Sequence, residues 1–571
     1  MERMDTKQLG TLVADPAVYR DLAITGIAYR SSDVQPGNLF FCVPGERVDG
    51  HDFAADAATR GAAALAVEHS VPVDLPQLHF DDTRLALALA SQAFYDDPSA
   101  SLAITAVTGT NGKTTTSYLI DWICRFAFAA ADGAEVGATA GATAASAVAA
   151  HLAPGAPAAD TALRTPSAAP TGLIGTVETR IGSARLSSKF TTPESLDLQR
   201  LLAQMRDAGV REVCMEVSSH AIALHRVANV RFAAAAFTNL TQDHLDFHGT
   251  MEVYFEAKAA LFDSPLVAAR AIDCDTPAGR RLIERCETAG FTVLTSGLDT
   301  AAQVRAHDIC YHATHTALTL DTPAGSFSFT YPLIGGFNVS NVALAAATAS
   351  LLGFDWQTII SALTVCPQIP GRLERVWAKG ISADDVRQPP IRVFVDYSHT
   401  PDSIQKALEA LGEIKNGRVL LVFGCGGDRD AGKRPLMGAA ALASDYAIVT
   451  SDNPRTENPQ SIIADILPGM AGGEGRFEVV CDRRQAIARA LAQAGAGDIV
   501  LIAGKGHEDY QIVGETRLDF DDRIVAAEEL RALADAEHWV THPAEHPTGL
   551  PTPTRPSRPA VPPKAGGAPC N

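Results

Sequence analysis

Short, uniformly apolar runs recur along the chain, each ending in a Gly-rich or polar turn. Leu39-Phe40-Phe41-Cys42-Val43, Ala63-Ala64-Leu65-Ala66-Val67 and Leu102-Ala103-Ile104-Thr105 are the first three. Further strands are predicted at Gly172-Leu173-Ile174-Gly175-Thr176-Val177, at Glu212-Val213-Cys214-Met215-Glu216-Val217 and over residues 232–237. Helices are predicted over residues 118–123, amphipathically over 251–262, and over the Ala-rich stretch 342–352 that follows the turn-bearing segment 332–341. Beyond the turn at Pro370-Gly371-Arg372 the alternation returns, with strands at Val393-Phe394-Val395, Val419-Leu420-Leu421-Val422-Phe423, Tyr446-Ala447-Ile448-Val449 and Ile499-Val500-Leu501-Ile502. Strands that are apolar throughout and alternate with helices imply parallel sheets covered on both faces.

Two stretches break this pattern. Between about residues 127 and 170 the chain is Ala, Gly, Pro, Ser and Thr with almost no large apolar side chain. Such a segment cannot bury enough surface to offset its ordering entropy, so a flexible insertion is expected. After residue 542 the chain turns Pro-rich, and a disordered tail is expected over 543–571. The boundaries that follow are a small α/β domain over 1–98, a nucleotide-binding domain over 99–370 and a third domain over 371–542.

Composition narrows the function. At 571 residues the chain is too long for one core. With 46% hydrophobic and 20% charged residues it has a globular composition. A net charge of −19 argues against a general nucleic-acid binder, though not against an anionic substrate met by local positive charge. The ten cysteines show no C-x-x-C pair, as expected of reduced thiols. Met1-Glu2-Arg3-Met4-Asp5-Thr6-Lys7 lacks the apolar core of a signal peptide, and no charge-free apolar run is long enough to span a bilayer. A cytoplasmic protein without membrane insertion is expected, acting as a monomer.

The richest chemistry follows the strand at residue 102. Thr108-Gly109-Thr110-Asn111-Gly112-Lys113-Thr114-Thr115 joins that strand to a helix, the context of a phosphate loop. Glycines let backbone N–H groups approach phosphate oxygens, and the helix N-terminus adds a favourable dipole. Lys113 offers a point charge to the outer phosphates of ATP, and Thr114 or Thr115 a hydroxyl to Mg²⁺. Val107 stands where the general pattern has Gly.

Other polar clusters also sit at strand ends. Glu216-Val217-Ser218-Ser219-His220 puts a carboxylate where parallel sheets place ligands, suited to Mg²⁺. The loop from Thr238 through Asp243, His244, Asp246 and His248 is dense in His and Asp. On helical spacing alone, Lys258 is expected to be a surface lysine. Nearer the C-terminus come Asp396-Tyr397-Ser398-His399-Thr400-Pro401-Asp402, Gly424 through Arg434, Asp452-Asn453-Pro454-Arg455, and Gly504-Lys505-Gly506-His507-Glu508. Acids and bases alternating at strand ends suit a zwitterionic ligand, since carboxylates hold an ammonium and Arg holds a carboxylate.

In this order, and across nearly the whole chain, these clusters resemble those of the Mur ligases, ATP-dependent enzymes that extend the peptide of the cell-wall precursor. The resemblance rests on Gly109 to Thr115, Asp243-His244, Asn338 to Asn341, Gly371-Arg372-Leu373-Glu374 and Asp396 to Asp402. It implies an α/β fold of three domains: a UDP-sugar domain, a central P-loop ATPase-type parallel sheet and a C-terminal Rossmann-like domain for an amino acid. Asp452-Asn453-Pro454-Arg455 resembles the motif of members that add meso-diaminopimelate, where lysine-adding members lack the Arg. The partners implied are ATP, UDP-N-acetylmuramoyl-L-alanyl-D-glutamate and meso-diaminopimelate, with Mg²⁺ as cofactor.

Matched to this sequence, the resemblance implies that Ser31 and Glu46-Arg47-Val48 contact the UDP end. Thr191, Thr192, Ser218, Leu224 and Arg226 would hold the muramoyl dipeptide. Leu224 replaces the Gln of some relatives, and Arg30-Ser31-Ser32 replaces the usual Asp-Ser-Arg. Lys258 matches a carbamylated lysine that ligates Mg²⁺ with Thr114, Glu216 and His244, which makes Lys113, His244 and Lys258 the catalytic set. Asn338 and Asn341 match residues near adenine. Arg434, Asp452, Asn453, Pro454, Arg455, Gly504 and Glu508 match the diaminopimelate pocket. The rival readings are a lysine-adding Mur ligase, a folylpolyglutamate synthetase of the same architecture and, from another class, an ATP-driven switch.

Overall fold

The structure is a computed structural model that describes residues 7–8, 21–45, 48–131, 171–187, 190–383, 385 and 387–536. Glu46, Arg47, nearly all of the stretch expected as an insertion, and the Pro-rich tail lie outside the described residues. The described chain forms two compact units. The first holds residues up to 131, 171–305 and 340–363, the second 306–339 and 364–536.

Within the first unit, Gly26–Ala28, Asn38–Phe41, Ala64–Val67 and Gln77–His79 form a 4-stranded parallel sheet. Period-two alternation divides its side chains between two cores. Leu39, Phe41, Ala64 and Ala66 pack with Ile24, Ile27 and Leu87 on one face. Phe40, Cys42, Leu65 and Val67 pack with Val34 and Ala57 on the other. Both faces are buried, which is why these strands read as unbroken apolar runs.

The parallel centre of an 11-stranded sheet runs in the order Thr171–Ile174, Glu212–Glu216, Ala103–Thr108, Phe232–Phe237, Val267–Asp273, Val293–Gly297, and beside Thr171–Ile174 the strand Glu178–Ile181 pairs antiparallel. Glu216 pairs with Val107, and Phe237 with Thr108. The loops leaving these three strands therefore emerge side by side at the carboxyl edge, where such sheets bind ligands.

The helix Lys113–Ala131 is longer than its predicted core. Residues 127–131, expected to open the insertion, are its last turn, because Phe128 still has packing partners. Its ring meets Phe354 edge-on at 6.0 Å, and the Arg211 guanidinium lies 4.1 Å from its centroid. Earlier in the same helix, Trp122 Nε1 donates to Ala362 O at 2.8 Å. The Ala-rich helix likewise starts early and spans Gly336–Leu351. Gly335 turns the chain with φ +94, and Asn338 Nδ2 then donates to Ile334 O at 2.8 Å.

In the second unit a 6-stranded sheet runs Glu374–Val376, Arg392–Asp396, Ile499–Ala503, Val419–Phe423, Tyr446–Val449, Phe477–Val479. All neighbours are parallel except the first pair. Leu421, Phe423 and Leu501 enter one core, and Leu420, Val422, Val500 and Ile502 the other. Asp396 pairs with Ala503 and Phe423 with Val449, so the polar loops after these strands share one edge. No described helix is long and apolar enough to cross a membrane.

Candidate active site

The loop between strand Ala103–Thr108 and helix Lys113–Ala131 needs both of its glycines. Gly109 has φ +148 and Gly112 φ +84, and a Cβ on them would lie 1.8 Å from Thr238 Oγ1 and 2.3 Å from Asn341 Oδ1. Neighbouring strand ends pin the loop. Thr110 N donates to Asn239 O at 2.9 Å, Asn111 N to Asn239 Oδ1 at 3.0 Å, and Thr238 Oγ1 to Asn111 O at 2.6 Å. Lys113 Nζ folds back to donate to Gly109 O at 3.0 Å and Thr110 O at 2.9 Å, placing its charge over the loop. Asn341 faces this loop, its Oδ1 accepting from Thr116 Oγ1 at 3.4 Å. Thr115 is buried in the first helical turn.

Glu216 is fully buried at its strand end. Thr114 Oγ1 donates to its Oε2 at 3.1 Å, Thr176 Oγ1 to the same oxygen at 3.0 Å, and Thr176 N to Oε1 at 2.9 Å. This hydroxyl and carboxylate pair is an oxygen-donor set that suits Mg²⁺. Glu216 also organises the residues matched to the dipeptide. Its carbonyl accepts from Thr192 Oγ1 at 2.9 Å, and Thr192 Oγ1 accepts from Ser218 N at 3.1 Å. Thr176 Oγ1 meets Thr191 Oγ1 at 3.0 Å, and Arg226 Nη1 donates to Thr192 O at 3.2 Å. The Oε2 of Glu194 lies 3.4 Å from Arg226 Nε and 3.4 Å from Arg84 Nη1. Arg84 Nη2 in turn donates to Pro44 O at 2.8 Å, two residues before Glu46. Ser31 opens a short 3-10 turn in the N-terminal region, Val48 is exposed, and Leu224 ends the helix Ser219–Ala223.

Lys258 corrects its residue-level reading. It lies on the inner face of the helix Met251–Asp263 with 1% of its surface exposed. Its Nζ donates to Gly109 O at 2.9 Å and lies 4.7 Å from the Tyr254 ring centroid. Burial, reinforced by the charge of Lys113, pushes its pKa well below the lysine range. The amine is therefore disposed to be neutral. Tyr254 ties the same helix to the loop, its hydroxyl 3.1 Å from Thr110 Oγ1.

His244 has a left-handed backbone, φ 53, and its Nε2 lies 3.4 Å from Asp243 Oδ2. Its ring meets His220 at 4.8 Å, and His220 meets His248 at 5.5 Å. Burial lowers the pKa of His244, and the charge of Lys113 adds to this against the opposing pull of Asp243, favouring the neutral imidazole that metals bind. His248 makes a 2.9 Å contact with Ser219 Oγ.

In the second unit, Asn453 is the hub. Its Nδ2 donates to Glu508 Oε2 at 2.8 Å, and its Oδ1 accepts from Ile512 N at 2.9 Å and Lys505 Nζ at 3.2 Å. Gly504 has φ +116, and a Cβ there would lie 2.4 Å from Asp452 Oδ2. Arg455, at φ 52, donates from Nη1 to Gly427 O at 2.6 Å. Pro454 is buried between Asn453 and Arg455. Arg434 is buried with Glu457 at 2.7 Å and Asp465 at 2.8 Å, so its contacts brace the loop that carries Asp428. Asn453, Asp452, Gly504 and Glu508 are thus brought together, with Arg455 two residues along the same loop as Asn453.

Three family models match the chain: "Mur ligase family, catalytic domain" over residues 23–97, "Mur ligase middle domain" over 107–349, and "Mur ligase, glutamate ligase domain" over 371–506. The chain belongs to the Mur ligase family. Among the relatives of this Mur ligase are proteins named UDP-N-acetylmuramoyl-L-alanyl-D-glutamate–2,6-diaminopimelate ligase. That of Gloeobacter violaceus is 43% identical over 515 residues, covering 89% of this chain and 94% of the relative. That of Geobacillus thermodenitrificans is 41% identical over 511 residues, covering 88% and 94%. A solved structure with the same name is 31% identical, has a TM-score of 0.62, and covers 94% of this chain and 100% of that one. The MurF ligase of Thermotoga maritima in complex with ADP, at 19% identity and TM-score 0.54, shares the fold and covers 90% of this chain and 97% of that one.

Residues that this Mur ligase uses to build its loop were only partly singled out from the sequence. Asn239 lay inside a noted cluster but had no role there, and it clamps two loop amides. Thr176 and Tyr254 stood out by no motif. Strand-end placement was the available signal for Thr176, and a polar residue on the apolar face of a helix was the signal for Tyr254.

Proposed function

We propose that this Mur ligase joins meso-diaminopimelate to UDP-N-acetylmuramoyl-L-alanyl-D-glutamate at the expense of ATP, working as a cytoplasmic monomer in cell-wall precursor synthesis. The observation that carries the substrate choice is the Asp452-Asn453-Pro454-Arg455 loop braced against Glu508. Diaminopimelate carries an ammonium and a carboxylate at each end, and these groups call for that mixture of acid, amide and guanidinium.

The D-Glu side-chain carboxylate attacks the γ-phosphorus of ATP, forming an acyl phosphate and releasing ADP. An amine of diaminopimelate then attacks the acyl carbon, loses a proton, and expels phosphate as the amide forms. Lys113 offsets the charge that gathers as two anions meet, and the loop N–H groups hold the phosphates. Thr114, Glu216, His244 and a carbamylated Lys258 would hold Mg²⁺, which when bound supplies further charge neutralisation at the phosphoryl group. The carboxylate held by Thr114 and Thr176 supports that assignment, as does the buried, weakly basic Lys258. Asn341 beside the loop supports a place near the nucleotide, and Asn338 lies on the same helix. Thr191, Thr192, Ser218 and Arg226 would hold the dipeptide, and Ser31 with the segment from Glu46 to Val48 the UDP end.

Phosphate release measured against a panel of UDP-muramoyl peptides and amino acids tests the reading. Release is expected only with the UDP-dipeptide and meso-diaminopimelate together. Release with ATP alone would favour an ATP-driven switch, and release with lysine or a folate would move the assignment to a lysine-adding or folylpolyglutamate enzyme.

A further inference from the structure

Lys505 has no role in the proposed reaction, yet it is fully buried beside the proposed amino-acid pocket. A buried ammonium is costly unless it is paired and hydrogen-bonded. Here Nζ donates to Asn453 Oδ1 at 3.2 Å and Glu508 Oε2 at 3.2 Å, and lies 5.4 Å from the Tyr510 ring centroid. The flanking glycines are what allow this burial. Gly506 has φ +56, and a Cβ there would lie 2.7 Å from Tyr397 Cβ, so the turn presses directly onto the end of the neighbouring strand Arg392–Asp396.

Lys505 also removes a choice from Asn453. With Lys505 Nζ and Ile512 N both donating to Oδ1, the amide oxygen is committed, and the NH₂ group must face Glu508. The same cation fixes one oxygen of Glu508. One buried charge thus sets the orientation of two side chains drawn from separate loops, Asn453 after the strand Tyr446–Val449 and Glu508 after Ile499–Ala503.

We infer that Lys505 is a positioning residue for amino-acid recognition: it locks Asn453 and Glu508 in the orientation that binds the zwitterionic end of the incoming amino acid, without touching it. This rests on the assignment of Asn453 and Glu508 to that pocket, and the experiment separates the two claims.

Initial rates of phosphate release are measured on the full chain for K505M, K505R, E508Q and K505M/E508Q, varying meso-diaminopimelate, ATP and the UDP-dipeptide in turn. K505M is expected to raise KM for diaminopimelate about tenfold or more, since a charge-assisted contact is lost. Its KM for ATP and for the UDP-dipeptide should stay as in the parent, a split that general unfolding would not produce. K505R should recover part of the loss. The losses in the double variant should fall well short of additive, because Lys505 acts in part through that carboxylate. Unchanged KM for diaminopimelate in K505M, or additive losses in the double variant, overturns the positioning role while E508Q still shows the pocket. If E508Q itself leaves that KM unchanged, the pocket assignment fails and the inference with it. Should K505M not fold, K505Q takes its place under the same criteria.

Discussion

Thr114 and Glu216 stand 102 residues apart in sequence and meet through a 3.1 Å hydrogen bond from hydroxyl to buried carboxylate. The contact exists because the strands preceding them are parallel neighbours, Glu216 pairing with Val107. Glu216→Gln keeps a polar side chain between Thr114 and Thr176 but removes the charge. It should require about tenfold or more Mg²⁺ for half-maximal activity. A magnesium titration of phosphate release checks this, and an unchanged titration would remove Glu216 from the metal site.

Lys113→Ala removes an ammonium whose bonds go to two loop carbonyls rather than to the core. Phosphate release should fall about a hundredfold or more, as when a preorganised charge is taken from a phosphoryl-transfer site. The melting temperature should hardly move. Near-normal turnover would contradict the phosphate-loop role.

Lys258→Ala should be nearly inactive and partly restored by short carboxylates such as acetate, which can stand in for a carbamate. The amine that attacks CO₂ must be neutral, and burial beside Lys113 favours that form. Activity of the parent should also fall when bicarbonate and CO₂ are stripped from the buffer and return when they are added. Indifference to both treatments would leave Lys258 as an unmodified lysine bound to Gly109.

Arg455→Ala should lose most of the preference for meso-diaminopimelate over lysine, mainly through KM. Each charge-assisted hydrogen bond to the far carboxylate is worth roughly 1.5–3 kcal/mol, enough for about tenfold selectivity or more. In the parent, lysine would leave that guanidinium without its anion, which adds to discrimination. Equal use of both amino acids by the parent would refute the assignment.

Glu212 gives a pH test independent of catalysis. Its Oε2 has no hydrogen-bond partner among the described residues, and burial raises its pKa from 4.5 to about 7. Because the folded value is the higher one, the folded state holds the proton more tightly. That stabilisation is complete below about pH 4.5 and is lost as pH rises through about 7. Glu212→Gln should therefore gain thermal stability relative to the parent as pH is raised from 5 to 8, within the resolution of melting curves taken at each pH. A constant difference across that range would show that Glu212 does not titrate there.

Fold class and the phosphate loop could be read from neighbours along the chain alone. Strands such as Val419–Phe423 are apolar on both faces and alternate with helices, a combination that points to a doubly covered parallel sheet. The loop from Gly109 to Thr115 carries its chemistry in consecutive residues, so its spacing could be read directly. Local reading failed where the deciding contact came from a distant segment. Helical spacing put Lys258 at the surface, because the elements that bury it are the loop at Gly109 and the ring of Tyr254. Residues 127–131 looked like the start of a linker, because the partners of Phe128 are Phe354 and Arg211. Asn239, Thr176 and Lys505 gained roles only when strand register set their loops beside others. Period and composition are properties of neighbours in sequence, whereas burial and charge pairing belong to neighbours in space. Those second neighbours are chosen by which strands adjoin in the sheet, and that is settled when the folded chain brings distant segments together.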